Sequence, residues 1–178
     1  MLVSSGPLEG RAPGTNWDLV VMHSADGGKS WSGPVRVALG EGALIPAPGI
    51  FNDKPYIAAW GHGNAIVTWS QFHVGPGAII LSAPILASVT HDSGNTWTDP
   101  VQISGSLPFG EASVPVMAAD GSIYVADTGN HTIGKITSDG MLSTLAGLPG
   151  TTGTEDGTGS AARFYLPIGL AVDNVGNV

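Results

Sequence analysis

The chain has 178 residues, of which 42% are hydrophobic and only 11% charged, with 27 Gly and 13 Pro. That much apolar content with so little charge excludes an intrinsically disordered chain, and dense turn formers between short apolar runs point to an all-β fold. A net charge of −8, from 6 basic and 14 acidic residues, leaves no basic stripe for nucleic acid and no attraction to an anionic membrane surface.

Cysteine is absent, so disulfides, thiolate metal sites and a thiol nucleophile are excluded. No apolar run approaches the length of a membrane span. The opening Met1-Leu2-Val3-Ser4-Ser5-Gly6-Pro7 has neither the basic start nor the long apolar centre of a signal peptide.

In chain order, the first predicted strand is Leu19–Met22, followed by the turn Ser24-Ala25-Asp26-Gly27-Gly28-Lys29-Ser30-Trp31 and a second strand over Val35–Val37. Two further strands are expected over Asp53–Trp60 and Asn64–Ser70. Pro84–Val89 then leads into Thr90-His91-Asp92-Ser93-Gly94-Asn95-Thr96-Trp97, and Val101–Ile103 leads out. Both turns read [ST]-x-D-x-G-x-[ST]-W, and every matched position from Ser24/Thr90 to Val37/Ile103 is 66 residues apart. Such a repeat signals one structural unit used twice.

The residue types suit a tight hairpin turn. A carboxylate at Asp26 or Asp92 accepts backbone N–H groups across the turn. Gly28 or Gly94 supplies a conformation that a Cβ hinders. The hydroxyls of Ser24, Ser30, Thr90 and Thr96 add local bonds, and Trp31 or Trp97 is expected to fold back as an apolar plug. The motif resembles the Asp box, or BNR repeat, of sialidases and related β-propellers, over roughly residues 16–125. The resemblance implies structural roles for these residues, and one complete four-stranded blade from about Asp53 to Ser104.

Downstream, Asp120-Gly121-Ser122-Ile123-Tyr124-Val125-Ala126-Asp127-Thr128-Gly129-Asn130-His131-Thr132-Ile133 resembles an NHL repeat, another propeller blade unit. It continues through Lys135-Ile136-Thr137 and Leu142–Gly147, then a Gly-rich connection through Glu155-Asp156-Gly157. Arg163-Phe164 and Leu166–Asp173 resemble the start of a next repeat, and a short turn is expected over Ser160–Phe164. This resemblance covers residues 112–178 and assigns structural motif positions to Tyr124, Asp127, Gly129, Asn130, His131, Asp156, Gly157, Arg163 and Phe164. Thr132 and Gly134 depart from it, standing where such repeats carry Leu and often a basic residue.

The expected architecture is therefore an all-β partial β-propeller: an arc of about three four-stranded antiparallel blades, incomplete at both ends. Residues 1–111 form the Asp-box part and residues 112–178 the NHL part. The first blade is expected to lack two strands and to leave Leu19–Met22 uncovered. Ile168–Val172 is expected to be uncovered at the other end.

Sialidase resemblance implies an arginine triad, a tyrosine nucleophile with a supporting glutamate, and an acid/base aspartate. The chain has only Arg11, Arg36 and Arg163, none in the family's triad motifs, and Leu44-Ile45-Pro46 lacks the arginine of that family's short motif. No catalytic residue is assigned. His23, His62, His73, His91 and His131 include no i, i+4 pair. Hairpin turns account for most of the Asp-Gly pairs at 26–27, 120–121, 139–140 and 156–157, with calcium binding as the competing role. No metal or cofactor is expected. Tyr56, Trp60, Trp69 and Phe72 are candidates for a ligand-stacking platform, with packing between blades as the competing role.

The functional expectation is a non-catalytic propeller module for binding or scaffolding a protein or carbohydrate, self-associating or completed by further blades. An extracytoplasmic setting follows from the resemblance alone. The alternatives are a piece of a sialidase-like glycoside hydrolase with its catalytic residues elsewhere, and a piece of an NHL-type lyase or hydrolase.

Overall fold

The computed structural model describes residues 1–6, 17–42, 48–104, 114–137 and 141–178. Arg11, Leu44-Ile45-Pro46, the 139–140 pair and the boundary expected at residues 111/112 lie outside the described residues.

Among the described residues, twelve strands form three antiparallel sheets in chain order. The first sheet holds β1 (Leu2–Gly6), β2 (Asp18–Met22) and β3 (Val35–Ala38), in that order. The second runs β4 (Gly49–Trp60), β5 (Asn64–Val74), β7 (Ile85–Thr90) and β8 (Val101–Gln102), with the short β6 (Ile80–Ser82) paired to the end of β5. The third is β9 (Pro115–Met117), β10 (Ile123–Asp127), β11 (Thr132–Ile136) and β12 (Leu142–Ala146). Helical structure among the described residues is confined to three single 3-10 turns, at Pro76–Ala78, Thr128–Asn130 and Gly159–Ala161.

The sheets stack because the second is apolar on both faces. Along β5, Val67 and Trp69 point one way, into a cluster with Leu19, Val21, Val37 and Ala38 of the first sheet. Ile66 points the other way and joins Ile85, Ala87 and Ile103 against Ile123, Val125 and Ile136 of the third sheet. β5 is buried on both faces although its sequence interleaves polar residues, and Thr68 and Ser70 are buried with the apolar ones. Each fully buried aliphatic side chain in these seams contributes roughly 1.5–3 kcal/mol. The 66-residue register carries into the packing: Leu19, Val21 and Val37 occupy in the first seam the places that Ile85, Ala87 and Ile103 occupy in the second. The result is an all-β partial β-propeller, with three blade-like sheets stacked face to face.

Strand β4 carries a bulge between Asp53 and Tyr56. Pro55 has no N–H to give the ladder, and Lys54 adopts a positive φ of 51°, so the strand kinks there and resumes pairing at Tyr56.

Three expectations need correction. The N-terminal sheet has three strands rather than two, because Leu2–Gly6 pairs along the whole of β2. Leu19–Val21 is consequently buried, since its inward face meets the second sheet. At the other end, residues 168–172 form no strand: the turn that follows them is present, but nothing pairs with them among the described residues.

Candidate functional site

Both eight-residue turns use their aspartate in the same way. Asp26 Oδ1 accepts the backbone N–H groups of Lys29 and Ser30, each at 2.9 Å, and the Ser24 hydroxyl at 2.8 Å. Its Oδ2 accepts the Ser30 hydroxyl at 2.6 Å, while Ser24 Oγ accepts the Gly28 N–H at 2.7 Å. Asp92 Oδ1 accepts the Thr96 N–H at 2.9 Å and the Thr90 hydroxyl at 2.8 Å. Its Oδ2 accepts the Thr96 hydroxyl at 2.6 Å, and Thr90 Oγ1 accepts the Gly94 N–H at 3.0 Å. Gly28 and Gly94 share a φ of 89°, which only glycine adopts freely.

Hydrogen bonds to the charged form hold both carboxyls down. The Ser30 hydroxyl is the main cause at Asp26, which lies well below the usual carboxylate range. The Thr96 hydroxyl is the main cause at Asp92, lowered to about 2. Ionised acceptors with both oxygens engaged this way hold a turn closed and are poorly suited to carry protons.

The two tryptophans differ. Trp97 is half-buried, packs against the first seam and donates its indole N–H to Gly94 O at 3.2 Å. Trp31 is 48% exposed, so the expectation that it plugs its hairpin is wrong. Met1 and His23, which adjoin β1 and β2, stand beside Gly94, whereas among the described residues only Trp31 comes near Gly28. The plug needs a neighbouring sheet to pack against, and the first turn has none among the described residues.

In the third sheet, Tyr124 is buried with Lys135 Nζ 5.4 Å from its ring centre. Asp127 Oδ2 accepts the Asn130 amide at 2.7 Å across the 3-10 turn that contains Gly129. His131, at φ 60°, closes that turn, accepts the Leu166 N–H on Nδ1 at 3.2 Å and stacks on Tyr165. Arg163 donates to the carbonyls of Ser160 and Ala162. Phe164 packs beside Gly147, whose Cβ, if present, would also strike His131 O. Gly157 lies against the Ala161 backbone, and Asp156 is exposed. These residues strap the segment after β12 over the β10–β11 end, with Thr128 Oγ1 donating to Pro167 O at 2.6 Å.

Of the four aromatic candidates, two are not available to a ligand. Trp69 is fully buried and donates to Asn52 Oδ1 at 2.8 Å. Phe72 is buried and stacks on Phe51 at 4.7 Å. Their strand is covered on both faces, which removes them from any platform. Tyr56 is partly exposed, and Trp60 is half-buried on the face turned to the third sheet.

Trp60 forms one wall of a cleft of about 330 Å³ between the second and third sheets. Aliphatic groups including Ile66, Ile123 and Ile136 make its floor, and His91, Thr98 and Thr137 bring polar atoms to it. The His91 ring is held by Nδ1 at 2.8 Å from Asn64 Oδ1. A second hollow of about 260 Å³ also touches His91 and Thr98 and extends to Asp92, Thr96 and Trp97. His91 reads from sequence as a variable turn position, and nothing in its neighbours marks it as facing a cleft. Arg36 is exposed on β3 and Arg163 lies in the C-terminal strap, so the structure does not bring these two together. No group of three or more His, Asp or Glu that could hold a metal occurs among the described residues.

No family model matches the chain, and no curated protein matches it. Among solved structures it is similar to the alpha-L-arabinanase of Penicillium chrysogenum complexed with arabinobiose, at 17% identity and a TM-score of 0.47. The match covers 78% of this chain and 44% of the arabinanase, so the chain spans less than half of that enzyme's length.

Proposed function

We propose that the chain is a non-catalytic β-propeller module, built from Asp-box and NHL-type sheets, that binds a protein or carbohydrate ligand in an extracytoplasmic setting. The observation that carries the binding role is the cleft between the second and third sheets. Its volume of about 330 Å³ lies in the range of ligand sites. It combines an aromatic wall at Trp60, an aliphatic floor, and His91, Thr98 and Thr137 as convergent polar groups. The aspartate turn beside it, like its counterpart in the first sheet, is scaffolding, because each carboxylate is spent on its own turn. The extracytoplasmic setting follows from the repeat resemblance.

Glycan and peptide arrays, followed by NMR titration of each hit, test this reading. The expected result is a ligand that shifts the Trp60 indole and His91 resonances and is lost on Trp60→Ala. Hits that leave both residues unmoved, or no hit on either array, would overturn it. A fluorogenic sialoside tests the hydrolase alternative: turnover should not exceed a buffer blank, and turnover abolished by mutating Arg36 or Arg163 would make the chain an enzyme.

A further inference from the structure

The side chains around the cleft between the second and third sheets select among ligands. Its floor is aliphatic, from Ile66, Val89, Ile103, Ile123 and Ile136, and Trp60 gives an aromatic wall. An apolar cavity of about 150 Å³ holds benzene, so about 330 Å³ takes a body of about two such rings.

Two of the three polar side chains at the cleft are already engaged within the sheets. Thr98 Oγ1 accepts the Val89 N–H at 3.1 Å and lies 3.4 Å from Ser88 Oγ. Thr137 Oγ1 accepts the Met141 N–H at 3.1 Å and donates to Met141 O at 3.2 Å. His91 differs. Its Nδ1–H donates to Asn64 Oδ1 at 2.8 Å, which assigns the proton of the neutral ring to Nδ1 and leaves Nε2 as an acceptor. Asn64 is also the residue paired with Trp60 across the β4–β5 hairpin, so one turn sets both the wall and the tautomer. The Trp60 indole N–H, a donor only, has no hydrogen-bond partner among the described residues.

The unspent side-chain groups are thus one acceptor and one donor over an apolar bed. A saccharide carries hydroxyls around its whole ring, and those lodged against aliphatic walls would lose water without gaining a partner. A phenol carries a single hydroxyl, which donates to Nε2 and accepts from the indole, on a ring that the floor covers. We propose, resting on the binding role assigned above, that the cleft receives a tyrosine side chain of a protein partner, with an apolar residue beside it, and not a carbohydrate. The tyrosine ring takes about half of the volume. Val101, which also lines the cleft and is 62% exposed at the start of β8, offers uncovered apolar surface to the neighbouring residue.

Four probes titrated into the isotope-labelled full chain by NMR test this: a blocked tripeptide with tyrosine beside leucine, the same peptide with phenylalanine for tyrosine, p-cresol, and cellobiose. The tyrosine peptide should shift the Trp60 indole and His91 ring signals saturably. The phenylalanine peptide should bind about tenfold more weakly, having lost the hydroxyl. Cresol should bind more weakly than the tyrosine peptide, and cellobiose should leave both residues unmoved. Asn64→Leu frees the ring to change tautomer, and His91→Phe keeps its bulk without the nitrogen. Either should abolish the preference for tyrosine while leaving the affinity of the phenylalanine peptide unchanged; His91→Phe alone decides the point where Asn64→Leu does not fold. Equal affinity of the two peptides, or cresol binding as tightly as the tyrosine peptide, would overturn the proposal. Cellobiose moving Trp60 and His91 where the tyrosine peptide does not would overturn it and leave the binding role standing. Silence of both residues toward all four probes would overturn it and count against the cleft itself.

Discussion

Replacing Asn52 by Ala should loosen the joint between the first two sheets more than any surface change. Asn52 is fully buried on β4. Its amide donates to Trp17 O at 2.8 Å and Leu39 O at 3.1 Å. Its oxygen accepts the Trp69 indole N–H at 2.8 Å and the Gln71 amide at 3.1 Å. One side chain thus ties β4 to the start of β2, the end of β3 and the middle of β5. Four hydrogen bonds at about 0.5–1.5 kcal/mol each give a loss of roughly 2–6 kcal/mol. The Trp69 indole is enclosed and finds no water in exchange. Urea unfolding followed by tryptophan fluorescence reads the effect. With a slope of about 2 kcal/mol per molar, the midpoint should fall by about 1–3 M at unchanged slope. A fall below about 0.5 M would show that these groups re-pair elsewhere and would refute the reasoning.

Trp97→Ala should destabilise by about 2–4 kcal/mol and Trp31→Ala by less than about 1, because only the first ring has a sheet behind it; urea midpoints of the two variants decide the order. Asp26 and Asp92 both titrate below their ordinary 3.8, so the stability they give is complete above that value and fades as pH falls through the folded pKa, about 2 for Asp92. An acid-unfolding curve should therefore steepen between about pH 4 and 2, and Asp92→Asn should flatten that limb. Gly40→Ala should lower the melting temperature sharply, since its Cβ would lie 2.6 Å from the Trp17 backbone nitrogen; an unchanged melting temperature would mean that the two strands are free to part.

The repeats made much of the fold legible, for a physical reason. A turn that satisfies its own backbone through one carboxylate needs fixed residues at fixed spacing, so Ser24–Trp31 and Thr90–Trp97 announce themselves. The strands flanking them follow from short apolar runs such as Leu19–Met22 and Pro84–Val89 on either side of the turn residues. β1 was hidden because Leu2–Gly6 is short and carries no turn signal of its own; only pairing with β2 makes it a strand. Trp31 and Trp97 are indistinguishable in sequence, because what separates them is whether another sheet stands alongside. The same holds for Trp60 and Trp69, nine residues apart on paired strands. One lines a cleft and the other is sealed in a seam, and burial on a second face is a tertiary property. The cleft was the least legible feature, since Trp60, His91, Thr98 and Thr137 come from separate elements with no common spacing.

The central claim is that three sheets stack in chain order, with the second buried on both faces. Methyl and indole NOEs measured on the intact chain test it most directly. The Trp69 ring should show cross-peaks to the Leu19 and Val21 methyls, and Ile66 and Ile85 should show them to Ile123 and Val125. Cross-peaks from Leu19 or Val21 to Ile123 or Val125, or none between Trp69 and the first sheet, would contradict the stacking order.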